Sequence, residues 1–142
     1  MADCIFCEIL AGRIAAEVVH ESPGAVAFLD VFPAARGHVL VVPHVHAPTL
    51  LDLDGAAVGD LFLAVKAVQA KVQRALQPVG MNVGWNHGRA AGQHVHHLHI
   101  HVIPRYEDGG RGIQVMGTGG ERAELPSVAA AIRSGQGRTE GG

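Results

Sequence analysis

Apolar positions fall in short clusters over the first fifty residues and then in one long periodic stripe. Ile5, Phe6, Ile9 and Leu10 are spaced i, i+1, i+4, i+5, which predicts a short amphipathic helix stopped by Gly12. Residues 18–21, 26–30 and 38–42 are rich in Val, Leu and Phe, and they are separated by Ser22-Pro23-Gly24 and by Pro33. Each reads as a strand. The gaps between them are too short for parallel crossovers, so an antiparallel meander follows.

Val58, Leu61, Phe62, Val65, Val68, Val72 and Leu76 then recur with a 3.6-residue period, leaving Asp60, Lys66, Gln69, Lys71 and Arg74 mostly off the stripe. This predicts one long helix, capped by Asp52 or Asp54 and ended by Pro78 with Gly80. Residues 81–85 read as a strand, 86–92 as a Gly-containing loop, and 95–103 as a final strand closed by Pro104. The expected fold is α+β: a sheet of about five antiparallel strands packed on one long helix, with a short N-terminal helix. The domain is placed at residues 1–105. A Gly-rich tail, 106–142, is expected to be loops with one short helix at 127–133 and a disordered end from residue 135.

Composition narrows the function classes. Apolar residues at 48% and charged residues at 17% are ordinary for a globular domain. A net charge of −2 gives no basic face for nucleic acid. No run approaches the ~18 apolar residues of a membrane span. Asp3 and the lack of a basic run argue against a signal peptide. Two cysteines are too few for a disulfide framework. A soluble, cytoplasmic protein with no nucleic-acid or membrane partner is expected.

Histidine is the anomaly. There are ten, and five lie between Gln93 and His101. In a strand, residues two apart share a face at about 6.6 Å, twice the ~3.3 Å rise. His97, His99 and His101 therefore share one face, and Leu98, Ile100 and Val102 the other. The apolar face belongs against the long helix. Three imidazoles in a row are poor packing, since Val or Thr would serve a strand better. Two chemistries remain open at this point: a metal site, or nucleophilic catalysis by a neutral imidazole whose neighbours position protons.

The run GQHVHHLHIHVIPR closely resembles the signature of the histidine triad superfamily. The likeness extends back through VAFLDVFPAARGHVLVVPHVH to CIFCEILAGRI. The resemblance implies that fold, and a middle histidine, here His99, that attacks the α-phosphorus of a nucleotide to form a nucleotidyl-histidine. It implies that His97 and His101 orient His99 and bind phosphate oxygens, with His38 as a fourth histidine nearby. Asp30 would hydrogen-bond the ribose hydroxyls, Asn86 and Gln93 would lie near the phosphate, and Phe6, Ile14 and Val18 would build an apolar slot for the base. His94 stands where the family usually has Ser or Thr, and His96 where it is more often apolar or aromatic. The chemistry is coherent on its own terms, because phosphoryl transfer depends mostly on positioning and on donors aimed at developing charge. No P-loop or carboxylate pair suggests another route.

Cys4-Ile5-Phe6-Cys7 has the CxxC spacing of a redox motif or half a zinc site, and two inert buried thiols are the plain alternative. The redox reading lacks the preceding strand that a thioredoxin-like unit requires. The resemblance implies a structural zinc on Cys4, Cys7, His46 and His97. It also implies a purine nucleotide substrate and a homodimer formed through the long helix and an adjoining strand. Expected substrates are a nucleoside phosphoramidate, a dinucleoside polyphosphate or a phosphosulfate-like ester. A purine mononucleotide-binding regulator or scaffold is the alternative. A hydrolase with zinc on His97, His99 and His101 ranks lower, because it lacks a carboxylate base.

Overall fold

The computed structural model describes residues 4–107 and 122–134. Five strands form one sheet: β1 (Val18–Ser22), β2 (Ala25–Leu29), β3 (Val39–Pro43), β4 (Gly80–Gly84) and β5 (Ile100–Arg105), in the order β1-β2-β3-β5-β4. All four pairings are antiparallel, with β5 inserted between β3 and β4. Three helices accompany the sheet: α1 (Ile5–Leu10), α2 (Gly55–Leu76) and α3 (Leu125–Ser134).

The period of two sorts the sheet into two faces. Ala25, Ala27, Leu29, Val39, Val41, Ile100 and Val102 meet the buried stripe of α2, which is Leu61, Ala64, Val65, Val68 and Val72. Val26, Phe28, Leu40 and Val42 point the other way and gather Cys4, Phe6 and the flank of α1. β2 and β3 are buried along their whole length because both their faces are covered. His101 pairs with Leu40 and so shares the α1 side of the sheet.

Asp54 caps α2, accepting from the Ala57 amide at 2.9 Å. Asp52 instead accepts from the Thr49 amide and hydroxyl, both at 3.0 Å, and closes a turn ahead of the helix. The far end corrects the expectation for Gly80. The left-handed residue that terminates α2 is Gln77, at φ +52, immediately before Pro78, and Gly80 opens β4.

The final strand also departs from the expected 95–103. It begins at Ile100 and runs through Pro104 to Arg105. Its pairing with β3 starts at Val41↔Ile100, and the Leu98 amide goes to the Ala47 carbonyl at 2.8 Å rather than to the sheet. Pro104 is tolerated because it lies past the last β3 pair and faces only Met81.

The expected helix at 127–133 is present as α3. Its Val128, Ala129 and Ile132 join the core beneath α2 and β1. The Gly-rich run from Gly109 to Gly120 and the residues from Gly135 onward lie outside the described residues. Among the described residues, no helix is long and apolar enough to cross a membrane.

Candidate active site

The site lies on the α1 side of the sheet, where β5 and the segment leading into it bring three histidines beside His38. His38 is 1% exposed, His97 is fully buried and His101 is 5% exposed, while His99 alone of the four is only half-buried. The rings of His99 and His101 meet edge to face at 5.0 Å, and those of His38 and His101 lie 5.2 Å apart.

Hydrogen bonds fix where each proton sits. The Ala34 amide donates to His38 Nδ1 at 2.9 Å, so that nitrogen is an acceptor and the proton of neutral His38 is on Nε2. His38 Nε2 then donates to His101 Nδ1 at 3.0 Å, which leaves the His101 proton on Nε2. His99 Nδ1 donates to the His97 carbonyl at 2.8 Å, which leaves a free lone pair on His99 Nε2. Burial is the main cause holding all three imidazoles below their ordinary range. His38 is pushed down to about 3, with His101 and Arg105 adding to the effect, and His101 to about 4, with help from His99. His99 is lowered by burial and by His94, against the opposing bond to the His97 carbonyl. The middle histidine is a neutral base with its lone pair available.

Asp30 sits just past β2. Its Oδ1 accepts from the Phe32 amide at 2.8 Å, and its Oδ2 lies 3.7 Å from His38 Nε2. Burial raises its carboxyl above the usual range, opposed by that amide. Asp30, His38 and His101 are close enough together to suggest a metal triad. His38 argues against it: with Nδ1 already accepting from Ala34, ligation through Nε2 would require an imidazolate.

Phe6 of α1 packs edge-on against the His99 ring at 5.0 Å and against Phe28 at 5.5 Å. Val18 borders the same apolar cluster, whereas Ile14 is 40% exposed and lies outside it. Asn86 is half-buried and reaches the Gly92 carbonyl at 3.5 Å. Gln93 is placed differently from a ligand contact. It is 2% exposed, its Nε2 donates to the Pro48 and Val95 carbonyls at 2.7 and 3.0 Å, and its Oε1 accepts from the Gly88 amide at 2.8 Å. Its amide braces the 88–95 loop.

A second cluster adjoins the first. Cys4, which caps α1, Cys7 within it, His46 after β3, and His97 hold their ligand atoms within 4.8 Å of one another. Cys7 Sγ is 3.2 Å from His46 Nδ1, and His97 Nδ1 is 3.4 Å from Cys4 Sγ and 3.6 Å from Cys7 Sγ. Zinc bonds of ~2.3 Å to sulfur and ~2.05 Å to nitrogen give tetrahedral S···N edges of about 3.6 Å. His97 Nε2 donates to the Pro43 carbonyl at 2.9 Å, so Nδ1 is the nitrogen left able to ligate a metal and the ring is oriented from behind. The donor set and its geometry fit zinc. Sequence reasoning missed the backbone partners, the Ala34 amide and the Pro43 and His97 carbonyls, because no side-chain pattern signals them.

The model of the HIT domain matches residues 11–108. An uncharacterized 16.1 kDa HIT-like protein of Mycoplasma pneumoniae is 44% identical over 107 residues, 75% of this chain and 74% of that protein. An adenosine 5′-monophosphoramidase of Schizosaccharomyces pombe is 40% identical over 102 residues, 72% of this chain and 74% of its own. The crystal structure of a zinc-bound histidine triad family protein from Mycobacterium smegmatis superposes with a TM-score of 0.80 at 28% identity, covering 94% of this chain and 93% of that one.

Proposed function

The chain belongs to the HIT domain family, and from that premise we propose that it hydrolyses or transfers a nucleotidyl group by way of a covalent intermediate on His99. Nucleotide-hydrolase chemistry is supported at the level of the family, by the similarity to a monophosphoramidase. The observation that carries the assignment to His99 is its tautomer. Among the four clustered imidazoles it is the one both accessible and holding an unprotonated Nε2, fixed by the His97 carbonyl.

In this reading His99 Nε2 bonds to the α-phosphorus as the bond from phosphorus to the leaving group breaks, and the leaving group departs with that electron pair and a proton taken from solvent. The resulting ring keeps its Nδ1 proton on the His97 carbonyl, so the positive charge that develops there is met by an acceptor already in place. His101 presents its Nε2 proton to the non-bridging oxygens, and His38 holds His101 in that tautomer. Water then attacks the phosphorus and gives up a proton to solvent, while the phosphorus–nitrogen bond breaks with its electron pair returning to His99 Nε2. Asp30 accepts from the ribose hydroxyls, Asn86 lies near the phosphate, and Phe6 and Val18 offer an apolar slot to a purine base, with the exposed Ile14 at most at its rim.

Cys4, Cys7, His46 and His97 would hold one structural zinc, tying α1 and its Phe6 to the segment that carries His99. The ion would supply rigidity rather than a reacting group. The edge strand β4 and its neighbours Leu63, Val83 and Trp85, all more than a third exposed, support a homodimer through β4 and α2. Two cysteines with no disulfide between them suit a reducing, cytoplasmic setting.

The substrate class we favour is a nucleoside phosphoramidate or a dinucleoside polyphosphate. Turnover of adenosine 5′-phosphoramidate and diadenosine polyphosphates by the full chain tests this. Release of AMP from one or the other is expected. Tight AMP binding with no turnover of either would contradict the enzymatic reading and favour a nucleotide-binding regulator.

A further inference from the structure

Arg122 and Glu124 stand beyond the family-matched residues 11–108, yet both reach the loop that follows Asp30. The orientation of the Asp30 carboxylate depends on that loop, because the Phe32 amide donates to its Oδ1 at 2.8 Å. The far end of the loop is pinned by the fold. Gly37 adopts φ +85 against α2, where a Cβ would stand 2.3 Å from Leu76 Cδ1. The Tyr106 hydroxyl donates to the Arg36 carbonyl at 2.8 Å, and the Ala34 amide is held by His38.

The near end is more open, with Val31 40% and Phe32 67% exposed. There the Arg122 guanidinium carbon lies 5.2 Å from the centroid of the Phe32 ring, and toward the far end Glu124 lies 3.6 Å from Arg36 Nε. These two contacts straddle Pro33–Ala35. The segment that supplies them is itself rooted: α3 buries Val128, Ala129 and Ile132, and Arg133 donates to the Val18 carbonyl at 2.8 Å and pairs with Glu17 at 3.7 Å.

We infer that Arg122 and Glu124 are positioning residues for nucleoside recognition, clasping the 31–36 loop so that the Phe32 amide holds Asp30 toward the sugar. This rests on the proposed role of Asp30 toward the ribose hydroxyls. The clasp reaches the sugar end of the site through the Phe32 amide, while Ala34 in the same loop is held in addition by its 2.9 Å bond to His38 Nδ1. Arg rather than Lys is not essential to it, because either cation is attracted by an aromatic face.

The test is calorimetric binding of AMP and 2′-deoxy-AMP to the full chain, read as the ratio of their dissociation constants. Wild type should prefer AMP, and Asp30→Asn should abolish the preference. Arg122→Ala should lower the ratio by about threefold, the scale of an exposed cation–aromatic contact. Arg122→Lys should restore it, which a general loss of folding would not allow, and Phe32→Leu should match Arg122→Ala. A wild-type ratio in the Arg122→Ala, Glu124→Ala double variant, with Asp30→Asn still abolishing preference, would overturn the clasp and spare Asp30. Equal binding of both nucleotides by wild type would remove Asp30 from the sugar, and the clasp with it.

Discussion

Replacing Gln93 should cost more stability than any other single polar change near the site. Its buried amide makes three hydrogen bonds, to Pro48, Val95 and Gly88, at 2.7, 3.0 and 2.8 Å. Gln93→Ala strands two carbonyls and one amide in an interior position. At about 1 kcal/mol per bond, with part of each desolvation cost recovered by loop relaxation, the loss is roughly 2–4 kcal/mol. Gln93→Glu keeps the shape but sets a carboxylate against two carbonyl oxygens, so it should cost at least as much. With an m-value of about 2 kcal/mol/M, the urea midpoint at pH 7 should fall by roughly 1–2 M. Nucleotide turnover should fall in parallel, because the braced 88–95 loop leads directly into the histidine segment. A midpoint within about 0.3 M of wild type for both variants would refute the reasoning and return Gln93 to a direct substrate contact.

Protein prepared without chelator should carry about one zinc per chain, lost in the Cys4→Ser, Cys7→Ser double variant; metal-free protein with both native thiols readily alkylated would count against the site. Stability should fall as pH drops. The ordinary imidazole pKa is about 6.5, whereas burial holds His38 at about 3 and His101 at about 4. Below about pH 6.5 the unfolded chain binds protons that the folded chain refuses, so the stabilisation present above that pH is lost toward pH 4, by up to about 1.4 kcal/mol per pH unit for each group. Urea midpoints that stay constant from pH 7.5 to 4.5 would contradict it. Gly37→Ala should destabilise by about 1–3 kcal/mol, since its left-handed backbone strains any residue with a Cβ and the Leu76 side chain would have to move aside; an unchanged thermal midpoint would show that the loop end is free to move.

Much of the fold was legible because its signals are local. The stripe from Leu61 to Val72 is the buried face of α2, and the short Val-rich runs became β1 to β3 within a residue or so. Residue parity separated His99 and His101 from Ile100 and Val102, although the strand carrying that parity begins only at Ile100. Its start was illegible because it depends on Leu98 finding Ala47 instead of a strand partner, a contact 51 residues away in sequence. α3 was visible as a helix, but its place under β1 depends on tertiary packing. Gln93 read as a polar residue near the phosphate, and only the backbone groups around it reveal a brace. The tautomers of His38, His99 and His101 are set by main-chain donors and acceptors that any sequence would supply.

The covalent step itself can be observed. Acid quenching during turnover of radiolabelled adenosine 5′-phosphoramidate, followed by peptide mapping, should trap a nucleotidyl adduct on His99 of the wild-type chain. His99→Asn should bind AMP with near wild-type affinity, yield no adduct and lose several orders of magnitude in kcat, roughly what removing a nucleophile costs. An adduct mapped to His96, His97 or another histidine, or a His99→Asn variant with wild-type turnover, would contradict the mechanism.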